Sequence, residues 1–120
     1  MGSASGNVVI QGSFGVNSVY SNRASIVVTT NTVVDSFSAA LYRSAKYTIR
    51  VNSDDGYQAA EVLLVHDGST SFVTIYGSLS TIGSDIISLS TDIVSGNVRM
   101  LATTGSSNTT VNLIGMYVTG

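Results

Sequence analysis

Between Tyr42 and Gly68 the chain reads YRSAKYTIRVNSDDGYQAAEVLLVHDG. This stretch gathers Arg43, Lys46 and Arg50 out of five basic residues, Asp54, Asp55, Glu61 and Asp67 out of seven acidic ones, and the single histidine, His66. Clustered titratable groups in a weakly charged chain are the first place to look for chemistry. His66 beside Asp67 has the types of a catalytic dyad, but neighbouring residues of an extended chain face opposite ways, and no serine lies in a nucleophile-elbow sequence. Asn52, Asp54 and Asp55 supply oxygens as a calcium loop does, yet the bidentate glutamate that closes such a loop is missing. One histidine and no cysteine leave no transition-metal ligand set. The glycines are scattered singly, without phosphate-cradling spacing. Tyr20, Tyr42, Tyr47, Tyr57, Tyr76 and Tyr117 have the faces to stack on sugars, although tyrosines of a small sandwich are expected in the core with the hydroxyl at the rim. The sequon Asn108-Thr109-Thr110 is of a kind frequent by chance in such a chain. No catalytic, cofactor-binding or metal-ligating residues are assigned, and a non-enzymatic protein is expected.

The elements that position these groups read as strands. From Ala45 to Asn52 the pattern is two-fold: Ala45, Tyr47, Ile49 and Val51 point one way, and Lys46, Thr48, Arg50 and Asn52 the other. NSDDG carries the Asp and Gly of a reversal, so residues 41–52 and 57–66 form a hairpin. Val62, Leu63, Leu64 and Val65 are continuously apolar, which predicts a strand covered on both faces. Glu61 then lies across from Lys46 or Arg50, a pair worth about 0.2–1 kcal/mol. Similar segments rich in Val, Ile, Thr and Tyr occur at 7–11, 14–20, 25–30, 32–37, 71–79, 85–93, 97–104 and 110–118, separated by Gly, Asn, Asp and Ser. None has helical periodicity. Short strands at this spacing predict an all-β antiparallel sandwich, jelly-roll-like, with residues 25–120 as one domain and residues 1–24 as an extended N-terminal arm. Within that arm MGSASGN reads as a flexible leader or a vector-derived remnant.

Composition bounds the partners. The 120 residues suit one modest core; charged residues are 10% against a usual quarter, while Ser and Thr exceed a quarter. The net charge of −2 has no basic stripe for phosphates and no cationic tail for lipid, which argues against nucleic acid and membrane-surface partners. The longest apolar run, around AAEVLLV, is far below a membrane span, so a soluble chain is expected. Sparse charge, no proline and β-prone edges favour self-association, with residues before about 24 reaching onto a neighbour as an added strand.

The runs YRSAKYTIRV, YQAAEVLLVHDG, VTIYGSL, DIVSGNVRMLAT and TTVNLIG, within about residues 33–118, resemble a module of virion structural proteins of tailed phages, notably of cyanophage myoviruses. Arg43, Ser44, Ala45, Lys46 and Tyr47 match its first element. Tyr57, Gln58, Glu61, Leu63, His66, Asp67 and Gly68 match the hairpin return, and Asp92, Ile93, Gly96, Asn97, Val98, Arg99 and Leu101 match a third element. Ser95 stands where a glycine is usual, and Ile75 where an acidic residue is. The resemblance implies a structural component located in the virion. A capsid decoration, or cement, protein is the first expectation, a homo-oligomer, trimeric by analogy with other virion proteins, attached to the major capsid protein or a tail protein. The alternative is a tail-fibre or baseplate adhesin module binding host surface glycans through exposed Tyr, Asn and Asp.

Overall fold

The computed structural model of the chain describes residues 19–119, with side chains from residue 24 onward. The expected 7–11 strand and most of the N-terminal arm lie outside the described residues. The described strands are β1 (Val19–Val28), β2 (Thr32–Ser38), β3 (Ser44–Asn52), β4 (Tyr57–His66), β5 (Ser71–Ser80), β6 (Ile87–Val94), β7 (Asn97–Thr104) and β8 (Thr109–Val118). They form two antiparallel sheets, one of five strands in the order β1-β8-β3-β4-β5 and one of three in the order β2-β7-β6, as the all-β sandwich reading required. β1 begins inside the segment assigned to the arm, and residues 19–24 pair with β8 of the same chain. Among the described residues no helix is long and apolar enough to cross a membrane.

The two-fold pattern of β3 becomes burial directly: Ala45, Tyr47, Ile49 and Val51 enter the core, while Lys46, Thr48 and Arg50 are exposed. β4 alternates likewise, and here one expectation is corrected. Val62 and Leu64 are buried, but Leu63 and Val65 point outward and stay about half exposed. An unbroken apolar run in a period-two element places half its members on each face, and among the described residues a second layer covers only one face of the sheet.

Two irregularities aim particular side chains. In β2, Val33 pairs with Leu101 and Asp35 with Met100, so Val34 is an extra residue. This bulge turns both Val34 and Asp35 inward. The buried Asp35 carboxylate accepts hydrogen bonds from the Tyr47 hydroxyl at 2.9 Å and from the Tyr117 hydroxyl. Burial, with the adjoining Asp35 charge, pushes the Tyr47 phenol far above its ordinary value. The rim position expected for these two hydroxyls is therefore wrong: each has a buried acceptor instead. The rings continue into a cluster, Tyr117 lying 5.2 Å from Phe37, 5.6 Å from Tyr42 and 6.2 Å from Tyr47 between centroids. Gly115, opposite Tyr47 in the ladder, makes room for it: a Cβ there meets Tyr47 Cε1 at 2.8 Å and the Tyr117 hydroxyl at 3.0 Å.

The sheets are tied at one end by Gln58, 2% exposed. Its Oε1 accepts from the backbone N–H of Ile86 at 2.8 Å and of Ile87 at 3.3 Å, and its Nε2 donates to Ser78 Oγ at 3.0 Å and Asp85 Oδ1 at 3.1 Å. One side chain of β4 thus holds the start of β6, in the other sheet.

Candidate functional site on the outer face of the five-stranded sheet

The hairpin places the opening stretch of charged residues, but does not bring them together. His66, 2% exposed, is a core residue: its Nδ1 accepts from the Gly68 N–H at 2.9 Å, which leaves the proton on Nε2, 2.7 Å from the Tyr42 carbonyl that accepts it. Asp67 faces solvent and takes the N–H groups of Ser69 and Thr70 at 2.9 and 2.8 Å. Those bonds hold its carboxyl below the usual carboxylate range. Both nitrogens of the imidazole are committed to backbone, one to the β4–β5 turn and one to the β2–β3 connection, so the pair is structural. In NSDDG, Asp54 accepts from Asn108 Nδ2 at 2.9 Å and Asp55 from Ser106 Oγ at 2.6 Å. These carboxylates clasp the β7–β8 loop, and the same contact engages the sequon asparagine.

What remains is the outer face of the five-stranded sheet, whose cross-strand registers define rows of neighbours. Arg50 lies between Ala59 of β4 and Asn112 of β8, with Ser25 beyond Asn112 on β1. Thr48 and Ile114 make the next row. Ala59 is short between the larger side chains around it, and the result is a shallow depression of about 640 Å³ lined by Ser25, Thr48, Arg50, Ala59, Asn112 and Ile114, among others. The Arg50 guanidinium makes no hydrogen bond or ion pair among the described residues. By contrast Arg99 forms a two-pronged pair with Asp92, at 2.7 Å for each N–H donor, which lowers the Asp92 carboxyl and raises the guanidinium.

Glu61 was expected opposite Lys46 or Arg50. The register puts it opposite Thr48, with Lys46 and Arg50 on the two diagonals. It accepts instead from the Tyr76 hydroxyl at 2.7 Å. That bond exists because Tyr76 is the extra residue of a second bulge, between the pairs Val62↔Ile75 and Glu61↔Gly77. The Glu61 hydrogen bond raises the Tyr76 phenol above its ordinary value, with Lys46 opposing it. Tyr57, 59% exposed, marks the far end of the same face. A second depression, about 700 Å³, opens where β5 and β6 diverge, but its one charged group, Asp85, is engaged by Gln58 and Ser78, and the Thr104 hydroxyl by the Ile86 carbonyl. The two-fold pattern of β3 and β4 already displayed Arg50 outward. Its place beside Asn112 and Ser25 depends on pairings between segments distant in sequence, for which no local signal exists.

No family model matches the sequence, and no curated protein does. Solved structures with a similar fold are tailspikes of Acinetobacter phages. One is tailspike protein gp49 from Acinetobacter baumannii bacteriophage Fri1, described as a capsular polysaccharide depolymerase: 12% identity, TM-score 0.52, over 92% of this chain and 19% of that one. Others are the Acinetobacter baumannii phage AM24 tailspike, at 13% identity and TM-score 0.49 over 86% of this chain and 26% of that one, and the Acinetobacter phage vB_ApiP_P1 tailspike, at 16% and 0.45 over 96% and 24%. The chain spans about a fifth to a quarter of the length of these proteins. At this identity the likeness to gp49 is one of fold alone.

The gp49 likeness overturns the expectation of a non-enzymatic protein, since a protein described as a capsular polysaccharide depolymerase contains a domain of this fold. The physical reason is that a serine–histidine pair or a metal-ligand set is only one kind of catalytic constellation. Cleavage of a glycosidic bond needs neither, since two carboxyl groups at a set separation serve as the acid and as the nucleophile or base, and carboxylates are present on this chain.

Proposed function

We propose that this chain is a module of a phage tail protein, a tailspike or tail fibre, that binds an acidic host-surface glycan on the outer face of its five-stranded sheet. One observation carries the reading: Arg50 stands exposed and without an acidic partner among the described residues, in a depression floored by Ala59 and edged by Asn112, Thr48 and Ser25. A planar guanidinium matches a sugar carboxylate with two parallel hydrogen bonds, and an unpaired one is ready to do so without first breaking an ion pair. The amide and hydroxyls beside it suit the alternating donors and acceptors of a saccharide. Tyr57 and Tyr76 offer apolar ring faces on the same surface.

The glycan class is supported by the capsular polysaccharide named for the Fri1 tailspike. The same likeness supports a virion location on the tail, and the cyanophage-type resemblance of residues 33–118 is compatible with it. Capsid decoration, the first expectation, has no comparable support. Assembly as a homo-oligomer, trimeric by analogy, completes the reading.

The test is calorimetric titration of the chain with acidic and neutral capsular polysaccharides, comparing the parent with Arg50→Ala and Asn112→Ala. We expect binding of an acidic polymer that weakens with salt and falls at least about tenfold, some 1.4 kcal/mol, in Arg50→Ala. Absence of binding to every polymer, or binding indifferent to both substitutions, refutes the site. Gold-labelled antibody against the chain should decorate tails; labelled capsids refute the location.

A further inference from the structure

The sandwich is closed along one side and open along the other. Where β1 turns into β2, the Thr29 carbonyl accepts from the Thr104 N–H of β7 at 2.9 Å, which ties the two sheets together. On the opposite side β5 ends the five-stranded sheet and β6 ends the three-stranded one, and neither has a second strand partner among the described residues. The depression of about 700 Å³ lies between them, lined by Val73, Thr74 and Ile75 of β5 and by Ile87, Ser88 and Leu89 of β6, among others. The opening shows in burial. Val73, Ile75 and Leu89 pack against the core but are only partly buried, whereas Val62, paired with Ile75 one strand further in, is fully buried.

An open edge of this kind is a template for another strand, and natural edges are guarded by charge, proline or a bulge. β5 has no charged residue and no proline, and its bulge at Tyr76 comes only after Ser71–Ile75. Five residues of regular, uncharged edge are left to pair. We infer that they take up residues 7–11, NVVIQ, of a neighbouring copy as a sixth strand of the sheet. That segment lies outside the described residues, and its sequence and its tether single it out. It has five residues, no charge and an alternating pattern, with Val8 and Ile10 on one side and Asn7, Val9 and Gln11 on the other. Laid antiparallel, as every strand pair of this fold is, it sets Ile10 against Val73 and Val8 against Ile75, so that both apolar side chains enter the depression. Gln11 and Val9 then stand beside Phe72 and Thr74 on the wet side.

The tether decides which copy supplies the strand. Val19 opens β1 at the far edge of the same sheet, and Val19, Val118, Ser44, Val65 and Phe72 form one row. A strand beyond β5 is therefore five spacings from β1, about 24 Å. Gln11 precedes Val19 by eight residues, a reach of about 26–29 Å when fully stretched. To join its own β5 the chain would have to climb over the side chains of the strands between and turn sharply at both ends, on a few ångströms of slack. A neighbour's edge imposes no such path. Each copy then gives a strand from its β1 side and receives one on its β5 side, a head-to-tail contact that closes into a ring when the rotation allows. The contact rests on the open edge and the tether; only the number three is taken from the trimer already proposed. It leaves the depression at Arg50 uncovered.

The experiment measures mass by light scattering across a concentration series for the parent and for Val8→Asp/Ile10→Asp. We expect more than one chain for the parent and one chain for the variant, whose substitutions lie outside the described fold and should leave its circular dichroism unchanged. The contact is then mapped with introduced thiols, since the sequence has no cysteine of its own. Val9→Cys co-refolded with Thr74→Cys and treated with a short bis-maleimide should give a mixed covalent dimer. Val9→Cys with Ser36→Cys, exposed on the edge strand β2 of the other sheet, should not. A chain carrying both Val9→Cys and Thr74→Cys should link to its neighbours and not within itself. A parental mass of one chain, a mass unchanged in Val8→Asp/Ile10→Asp, equal linking of the Thr74 and Ser36 partners, or closure within a single chain overturns the inference. Glycan binding is titrated separately on the monomeric variant, so failure of the Arg50 site and failure of this contact are told apart.

Discussion

Replacing Gln58 with Met tests whether one polar side chain couples the two sheets. The substitution conserves length and most of the volume, so the packing change costs little. It removes an acceptor from the Ile86 N–H at 2.8 Å and from the Ile87 N–H at 3.3 Å, both on residues at most 6% exposed. A buried donor stripped of its partner costs about 1–3 kcal/mol. Ile86 bears that in full and Ile87, with the longer bond, a part, while Ser78 and Asp85 face solvent and turn to water. The sum is about 2–4 kcal/mol. With a urea slope near 1.5 kcal/mol per molar for a domain of this size, the midpoint should fall by about 2 M. Hydrogen exchange should quicken first at Ile86 and Ile87, where β6 begins, and least at Tyr47 in the centre of the larger sheet. A midpoint shift below about 0.5 M with protection unchanged at Ile86 refutes the coupling, since the slope translates it to under 1 kcal/mol.

Gly115→Ala forces a methyl to within 2.8 Å of the fully buried Tyr47 ring, and should cost about 1–3 kcal/mol, seen as a lower melting temperature by calorimetry. His66→Ala removes a buried side chain together with its hydrogen bonds to the Tyr42 carbonyl and the Gly68 N–H, and should lose about 1–3 kcal/mol in denaturant titration, more than a surface turn position would. For acid stability the sign follows from Asp67 and Asp92. Both carboxyls sit below their ordinary value of 3.8 in the folded chain, so their contribution is present above that pH and is lost as pH falls through the lower folded values. The variant Asp67→Asn/Asp92→Asn should therefore show a flatter fall in melting temperature between about pH 4 and pH 2 than the parent; an identical slope refutes it.

Much of this architecture was legible in the chain because a strand's period is local. Ala45, Tyr47, Ile49 and Val51 declare their shared face within eight residues, and NSDDG declares its reversal within five, so β2 to β8 and the β3–β4 hairpin could be placed from sequence. What the pattern could not say is what lies on the other side of a face. Val62 to Val65 read as buried on both sides, and only the division into a five-stranded and a three-stranded sheet left Leu63 and Val65 outside. Nor could it pair segments far apart. Asp35 is an ordinary strand acid until a bulge turns it toward Tyr47 and Tyr117, twelve and eighty-two positions away. Gln58 is an ordinary polar residue until β6 arrives twenty-eight positions later to use its oxygen. The candidate site shows the same limit: Arg50 faces outward by period alone, but its neighbours Asn112 and Ser25 come from strands whose adjacency is decided by sheet order. Alternation is set by the geometry of each residue's own backbone, whereas sheet order is set by which faces bury the most apolar surface together, and that is a property of the whole chain.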